Sequence, residues 1–420
     1  KGKFILRYDD TSPEVKAALK EAYKWIEKDL NWLGIKPDKI VIQSKRFSIY
    51  YKYAEKLIKM GYAYVDTMPA EKMRDMIWER KISDEREESP NVVMKKWKKM
   101  FTSYKDGEAI LRVKTDIMHP NSAVRDWVAF RIVRKGKHPL AKVKVWPMLN
   151  FASAIDDYEF GITHILRGSD LEVSDVRQKY IYDYFKWKYP ETKYNGKLLV
   201  SGIKSTSEAS ELIKEGKLTG WDDPRLGTIM ALKRRGFQAE AILKFVRDAG
   251  IGKNDMNVNF SSLEAINKEI IDKNANRYFA VFNPKKIKIK YNKIKNVKIP
   301  LHPDFPKRGN RNFSVNEDFY VQDDIVFDNE YRLIHLFNFK NNEVISEEYD
   351  AKFKALHWLP VAKNLVNVEV VMPDNSIKNG FGEEELKKLK VGNYCQFERN
   401  FFTVLDKKTK SKLIFYYMHK

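Results

Sequence analysis

The chain has 420 residues, more than a single domain of typical size, so two to four domains with separate cores are expected. Its 43% hydrophobic and 32% charged residues fit a water-soluble globular protein, and no apolar run approaches the ~18 residues of a membrane span. A single cysteine, Cys395, excludes an intramolecular disulfide and a cysteine-rich zinc site, while a net charge of +21 favours a polyanionic partner such as nucleic acid, with a membrane surface or simple solubility as competing readings.

Lys1-Gly2-Lys3 carries neither an initiator Met nor a targeting segment and reads as a chain cut into, not started. The apolar run over 4–8 predicts a buried strand. A helix is expected straight after it, capped by Thr11 or Ser12, with Pro13 in its first turn. Val15, Leu19, Ala22, Ile26, Leu30 and Leu33 recur along it until Gly34. A second amphipathic helix is predicted from Phe47 to Gly61. Charged helical pattern over 69–104, followed by strands over 109–113 and 127–133, suggests an inserted subdomain. Buried strands return over 143–146 and 162–166, and 205–276 reads as mostly helical, punctuated by Gly216, Gly220, Gly236 and Gly250.

From Tyr278 the period changes to two. Between Lys285 and Lys298 there are seven lysines and no acid, with Ile287, Ile289 and Tyr291 alternating against Lys286, Lys288 and Lys290. This describes a strand with one basic face, or more simply a solvated edge strand. Further strands over 332–339, 365–372, 394–399 and 413–417 are separated by turns at 341–342, 373–375 and 406–410. Such spacing suggests one or two antiparallel barrels.

Several strings carry chemistry. Asp9 and Asp10, in Arg7-Tyr8-Asp9-Asp10-Thr11, sit at the carboxyl end of the first strand, where ligands bind in open α/β sheets. A carboxylate there suits an ammonium group; otherwise one Asp caps a turn while Arg7 pairs with the other. Asp156, Asp157 and Arg167, the last in Arg167-Gly168-Ser169-Asp170, are expected to converge on one cleft, an arginine being suited to a carboxylate. Lys204-Ser205-Thr206-Ser207-Glu208 opens a helix and suits phosphate, or is an ordinary cap with Ser207 capping and Glu208 in the first turn. Trp221-Asp222-Asp223-Pro224-Arg225 is a third turn-like string of the nucleotide-handling kind. The scattered histidines, His164 and His335 among them, form no metal constellation.

Taken in order, these strings resemble the archaeal and eukaryotic type of glutamyl-tRNA synthetase, a class I aminoacyl-tRNA synthetase of the glutaminyl-tRNA synthetase-like subgroup. The match covers nearly the whole chain and includes residues 4–11, 29–34, 51–61, 124–131, 151–167, 220–225 and 275–279. The resemblance implies a multidomain α/β plus all-β protein: a Rossmann-type core over 1–65 and 141–204, an inserted acceptor-stem domain over 66–140, a helical stem-contact region over 205–277 and anticodon-reading β-barrels over 278–420. It implies ATP-dependent ligation of L-glutamate to tRNA(Glu), and possibly tRNA(Gln), by a cytoplasmic monomer, with Mg²⁺ arriving on ATP.

By the same resemblance, Asp9 receives the amino group of the amino acid and Arg167 pairs with its side-chain carboxylate. Ser153 falls one turn along from a related site position, and Leu149 stands where many relatives place a tyrosine. Lys204, Ser205, Thr206 and Ser207 correspond to a degenerate second ATP motif, in which Glu208 occupies the place of a lysine. The first ATP motif, His-Ile-Gly-His, is expected upstream of Lys1. No cysteines surround Asp66 and Met68, where many relatives carry a zinc cluster, so zinc is not implied. A non-catalytic tRNA-binding paralogue and a glutaminyl-tRNA synthetase remain the alternatives.

Overall fold

In the computed structural model, residues 2–14, 18–199, 205–257, 259–291, 296–326 and 328–420 are described. Two compact units emerge, Lys1–Leu198 with Ile251–Met256, and Leu199–Gly250 with Asn257–Lys420. Among the described residues no helix is long and apolar enough to cross a membrane.

The first unit opens with strand β1 (Ile5–Tyr8), helix α1 (Ala22–Trp32) and strand β2 (Lys39–Ile42), with β1 and β2 paired in parallel from Ile5↔Lys39 to Tyr8↔Ile42. Parallel strands require such a crossover connection. Helix α1 begins well after the expected Thr11 or Ser12 cap. The backbone there is engaged elsewhere: Lys137 N–H donates to the Pro13 carbonyl, and His138 Nε2 lies 2.7 Å from the Asp10 carbonyl.

Next come α2 (Phe47–Lys59), β3 (Ala63–Asp66), α3 (Ala70–Trp78), α4 (Pro90–Thr102), β4 (Ile110–Val113), β5 (Val128–Ile132) and β6 (Val145–Pro147). Phe47, Tyr50, Tyr53, Ala54, Leu57 and Ile58 form the buried stripe of α2 at three- and four-residue spacing. The four strands build an antiparallel sheet in the order β3-β4-β5-β6, reaching one strand beyond each end of the 66–140 segment. Trp97, Phe130, Trp146 and Phe151 fill its core with edge-on aromatic contacts. The unit continues through α5 (Leu149–Glu159), β7 (His164–Gly168), α6 (Glu172–Phe185) and β8 (Glu191–Asn195), and β7 and β8 are again parallel.

The second unit carries helices α7 (Thr206–Lys214), α8 (Ile229–Arg234), α9 (Ala239–Ala249) and α10 (Phe260–Ile271), then a β region. Seven strands form one sheet in the spatial order Asn276–Tyr278, Tyr394–Phe397, Phe401–Lys408, Leu413–His419, Val366–Val371, Ile377–Gly382, Ala280–Phe282. Its two outer strands are consecutive in the chain, separated only by Phe279, so the sheet curls until one segment joins both edges. Two pairings, Asn276–Tyr278 with Tyr394–Phe397 and Val366–Val371 with Leu413–His419, are parallel, where an all-antiparallel barrel was expected.

A second β core surrounds Trp358, Phe319 and Phe337. Alternation along the joining segment serves both cores: Tyr278, Ala280 and Phe282 pack into the seven-stranded one, Phe279 and Val281 into the other. The single strand expected over 332–339 is a hairpin of Glu330–Leu333 and Asn338–Lys340, turning at His335 with φ 62°. Its turn escapes a polarity pattern because Ile334, Leu336 and Phe337 are all buried. The turn expected over 406–410 falls at Thr409–Lys412 instead, since the strand runs on to Lys408. Asn341, Asn342 and Asn375 do occupy left-handed turn positions.

Candidate active site

Arg7 on β1 and Arg167 on β7 both lie at the carboxyl ends of parallel strands. Arg7 Nε donates to Asp9 Oδ1 at 2.6 Å, and one terminal nitrogen donates to Asp157 Oδ1 at 2.5 Å. Burial works against the Arg7 charge, but Asp9 and Asp157 outweigh it and raise its pKa above the ordinary value. Asp157 is raised from the usual carboxylate range, chiefly by burial, with Arg7 and Arg167 opposing. Leu149, Ser153 and Asp157 follow at four-residue spacing on one face of α5. The Ser153 hydroxyl is buried without a hydrogen-bond partner, as is that of Tyr182 on α6. Burial raises the Tyr182 pKa, with further influence from Asp157, Arg7 and Arg167, so this hydroxyl belongs to the same cluster.

Arg167 meets α6. One terminal nitrogen lies 2.7 Å from Asp175 Oδ1, and both terminal nitrogens donate to Gln178 Oε1 at 3.3 and 3.2 Å. Tyr189 donates to Asp175 and Gln178 at 3.0 and 3.1 Å, and Tyr194 on β8 donates to the second oxygen of Asp175. Sequence reading missed Asp175, Gln178 and Tyr182. Their three- and four-residue spacing put polar groups on the buried face of α6, and that was the available signal.

Asp9, Asp157 and Arg167 therefore share one cluster, but Asp156 does not. Neighbours on a helix point about 100° apart. Asp156 turns away, fully buried, to Arg46 Nε at 2.8 Å and Tyr50 OH at 2.7 Å. Asp10 is likewise committed, accepting from Ser44 N–H, Ser44 Oγ and Tyr23 OH. Three hydrogen bonds to its two carboxylate oxygens and one main-chain contact make Asp10 a structural anchor for the strand end.

Trp221–Arg225 forms a closed knot in the second unit. Asp223, fully buried, accepts from Thr219 N–H and from Arg225 N–H, Nε and a terminal nitrogen, and its pKa is lowered because these donors outweigh burial. No carboxylate oxygen of Asp223 is left for a nucleotide. Ser205, not Ser207, caps α7, accepting from Glu208 N–H at 3.1 Å, because the helix begins at Thr206. Ser205, Thr206 and Ser207 are exposed, and Lys204 lies outside the described residues. Among the described residues no three His, Cys, Asp or Glu side chains are grouped to hold a metal ion.

The basic strand face is also answered by its neighbours. Lys286 and Lys288 meet Asp318 and Glu317 at 3.3 and 3.4 Å, while Lys285 and Lys290 pair with Asp324 and Glu343. A run without acids in sequence gains acids across the sheet.

The family described as tRNA synthetases class I (E and Q), catalytic domain, matches residues 1–273, and its anti-codon binding domain matches 275–358. A glutamate–tRNA ligase of Pyrococcus furiosus is 44% identical over 444 aligned positions, spanning 100% of this chain and 77% of that one. Its counterpart in Methanosarcina mazei is 41% identical over 442 positions, spanning 100% and 76%. A solved glutamate tRNA ligase of Elizabethkingia meningosepticum aligns over 66% of this chain and 64% of its own, with a TM-score of 0.45 at 21% identity.

Proposed function

The chain belongs to the class I tRNA synthetases for glutamate and glutamine, and we infer that its reaction is the ATP-dependent ligation of L-glutamate to the 3′ end of tRNA(Glu). The observation that carries the amino-acid choice is whole-chain identity to glutamate–tRNA ligases at 41–44%. ATP supplies the driving force: the glutamate α-carboxylate attacks the α-phosphorus, pyrophosphate leaves, and a terminal tRNA hydroxyl then attacks the adenylate carbonyl and releases AMP. The enzyme's part is positioning and electrostatic stabilisation.

Within that reaction Asp9 receives the amino group. Arg7 holds its Oδ1 and so orients Oδ2 toward an ammonium. Arg167 takes the side-chain carboxylate, for which a guanidinium offers parallel donors and a full positive charge that glutamine's amide cannot match. Ser153, an unsatisfied hydroxyl one turn from Asp157, supports the amino-acid pocket. ATP, bringing Mg²⁺, is read in part by Lys204, Thr206 and Ser207, and no protein-bound zinc is expected. Residues 66–140 hold the acceptor stem, 205–277 contact the stem, and 278–420 read the anticodon, in a monomer that acts in the cytoplasm.

Charging of total tRNA with labelled glutamate, ATP and Mg²⁺ tests the reading, beside glutamine as competitor. Glutamate-specific charging is expected. Binding of tRNA without charging would favour the non-catalytic alternative, to which Glu208 in the first turn of α7 lends weight.

A further inference from the structure

The β7–α6–β8 crossover supplies every group that touches Arg167 in the network already described, and these groups differ in charge. We propose that Asp175 and Gln178 together set the side-chain specificity of the site, Asp175 by fixing the Arg167 guanidinium and Gln178 by adding no second negative charge beside it. The inference rests on the assignment of Arg167 to the substrate's side-chain carboxylate.

A free arginine carries substantial rotamer entropy that binding must remove. Asp175 removes it beforehand, its Oδ1 lying 2.7 Å from a terminal nitrogen of Arg167 as an ion pair while Tyr189 and Tyr194 donate to the carboxylate. Such preorganisation lowers the cost of binding without any new substrate contact. Asp175 and Gln178 are both buried, so their rotamers are set by packing as well as by these bonds.

Gln178 occupies the place where a second carboxylate would fit. Its Oε1 accepts from both terminal nitrogens of Arg167 at 3.3 and 3.2 Å, yet it is neutral. Asp157, the other nearby acid, is engaged by Arg7 at 2.5 Å. With one carboxylate and one amide as its close partners, the guanidinium is oriented but retains attraction for an incoming anion. A glutamate at 178 would keep the shape and saturate that charge.

The test is steady-state aminoacylation with glutamate and with glutamine, using tRNA, ATP and Mg²⁺, on Gln178→Glu, Asp175→Ala and Arg167→Ala. Gln178→Glu is expected to raise the KM for glutamate about tenfold or more and to lower the glutamate:glutamine ratio, with the KM for ATP unchanged. A purely structural role for residue 178 would move kcat and stability without moving that ratio. Asp175→Ala is expected to raise the KM for glutamate similarly, with a smaller change in kcat at saturation. Should Asp175→Ala not fold, Gln178→Glu and Tyr194→Phe decide, the latter expected to raise the glutamate KM about threefold. If Arg167→Ala abolishes glutamate preference while the folded variants at 175, 178 and 194 leave KM and ratio within about twofold of the parent, the inference falls and the Arg167 assignment stands. If Arg167→Ala retains the preference, the assignment falls and the inference with it.

Discussion

The two units each set an arginine between acids, to opposite ends. In the first, Arg7 bridges Asp9 and Asp157, and the Asp9 side chain remains 37% exposed. In the second, Arg311, 1% exposed, bonds Glu383 at 3.0 Å and Glu398 at 2.6 Å; Glu398 meets His335, and Glu383 accepts from Phe279 N–H. Phe279 is the residue that separates the two edges of the seven-stranded sheet, and it packs into the neighbouring core. The first network therefore presents charge where a ligand can reach it, while the second uses charge to tie two β cores together. Both keep unpartnered buried atoms, Ser153 Oγ and Tyr182 OH in one, Arg311 Nε and Glu383 Oε1 in the other. Only in the first do they accompany an exposed carboxylate, and openness is what distinguishes a site from a staple.

Substitution should separate the two. Arg311→Ala leaves the buried Glu383 and the partly buried Glu398 without their shared cation and is expected to cost about 3–5 kcal/mol of stability, read from urea midpoints, with the glutamate:glutamine ratio of the folded fraction unchanged. Arg167→Ala should do the reverse, costing about 2–4 kcal/mol in kcat/KM for glutamate and less in stability. An equal loss of stability in both variants would erase the distinction between them.

Proton linkage sharpens the contrast further. Burial pushes the Glu383 carboxyl up to about 7, against the pull of Arg311. Its ordinary value is 4.5, so between pH 4.5 and about 7 the unfolded chain has lost a proton that the folded protein keeps. The contribution is complete below pH 4.5 and is lost as pH rises through about 7. Glu398 runs the other way: burial would raise it, but His335 and Arg311 hold it at about 2, so its contribution is present above pH 4.5 and lost as pH falls toward 2. Urea midpoints of Glu383→Gln should lack the decline between pH 4.5 and 7 that the parent shows.

The smallest effect is expected on the lysine strand. Because Lys286 and Lys288 already face Asp318 and Glu317, the double Gln variant should change the slope of log Kd for tRNA against log salt by less than about one. A change of about two would show that both lysines reach phosphate in spite of their partners.

Particular elements show how much was legible. The Phe47–Lys59 helix and the asparagine turns follow from spacing and turn chemistry, because those preferences act within a few residues. The start of α1 was misplaced because segments around Lys137 and His138 engage the Asp10–Pro13 backbone from more than a hundred residues away. Ser207 was expected to cap α7, and the shift to Ser205 is a boundary error of the common kind.

The sequence by itself determined the order of elements, the change of period at Tyr278, the family, and the presence of Asp9 and Arg167 at strand ends. Only the tertiary structure decided which charges meet: that Arg7 reaches Asp157, 150 residues away, that Asp156 beside it faces Arg46, and that acids cross the sheet to the lysine strand. The reason is one of range. Period and turn chemistry are local, whereas an ion pair depends on which faces of distant elements are packed together, and a rotation of one residue along a helix reverses the answer.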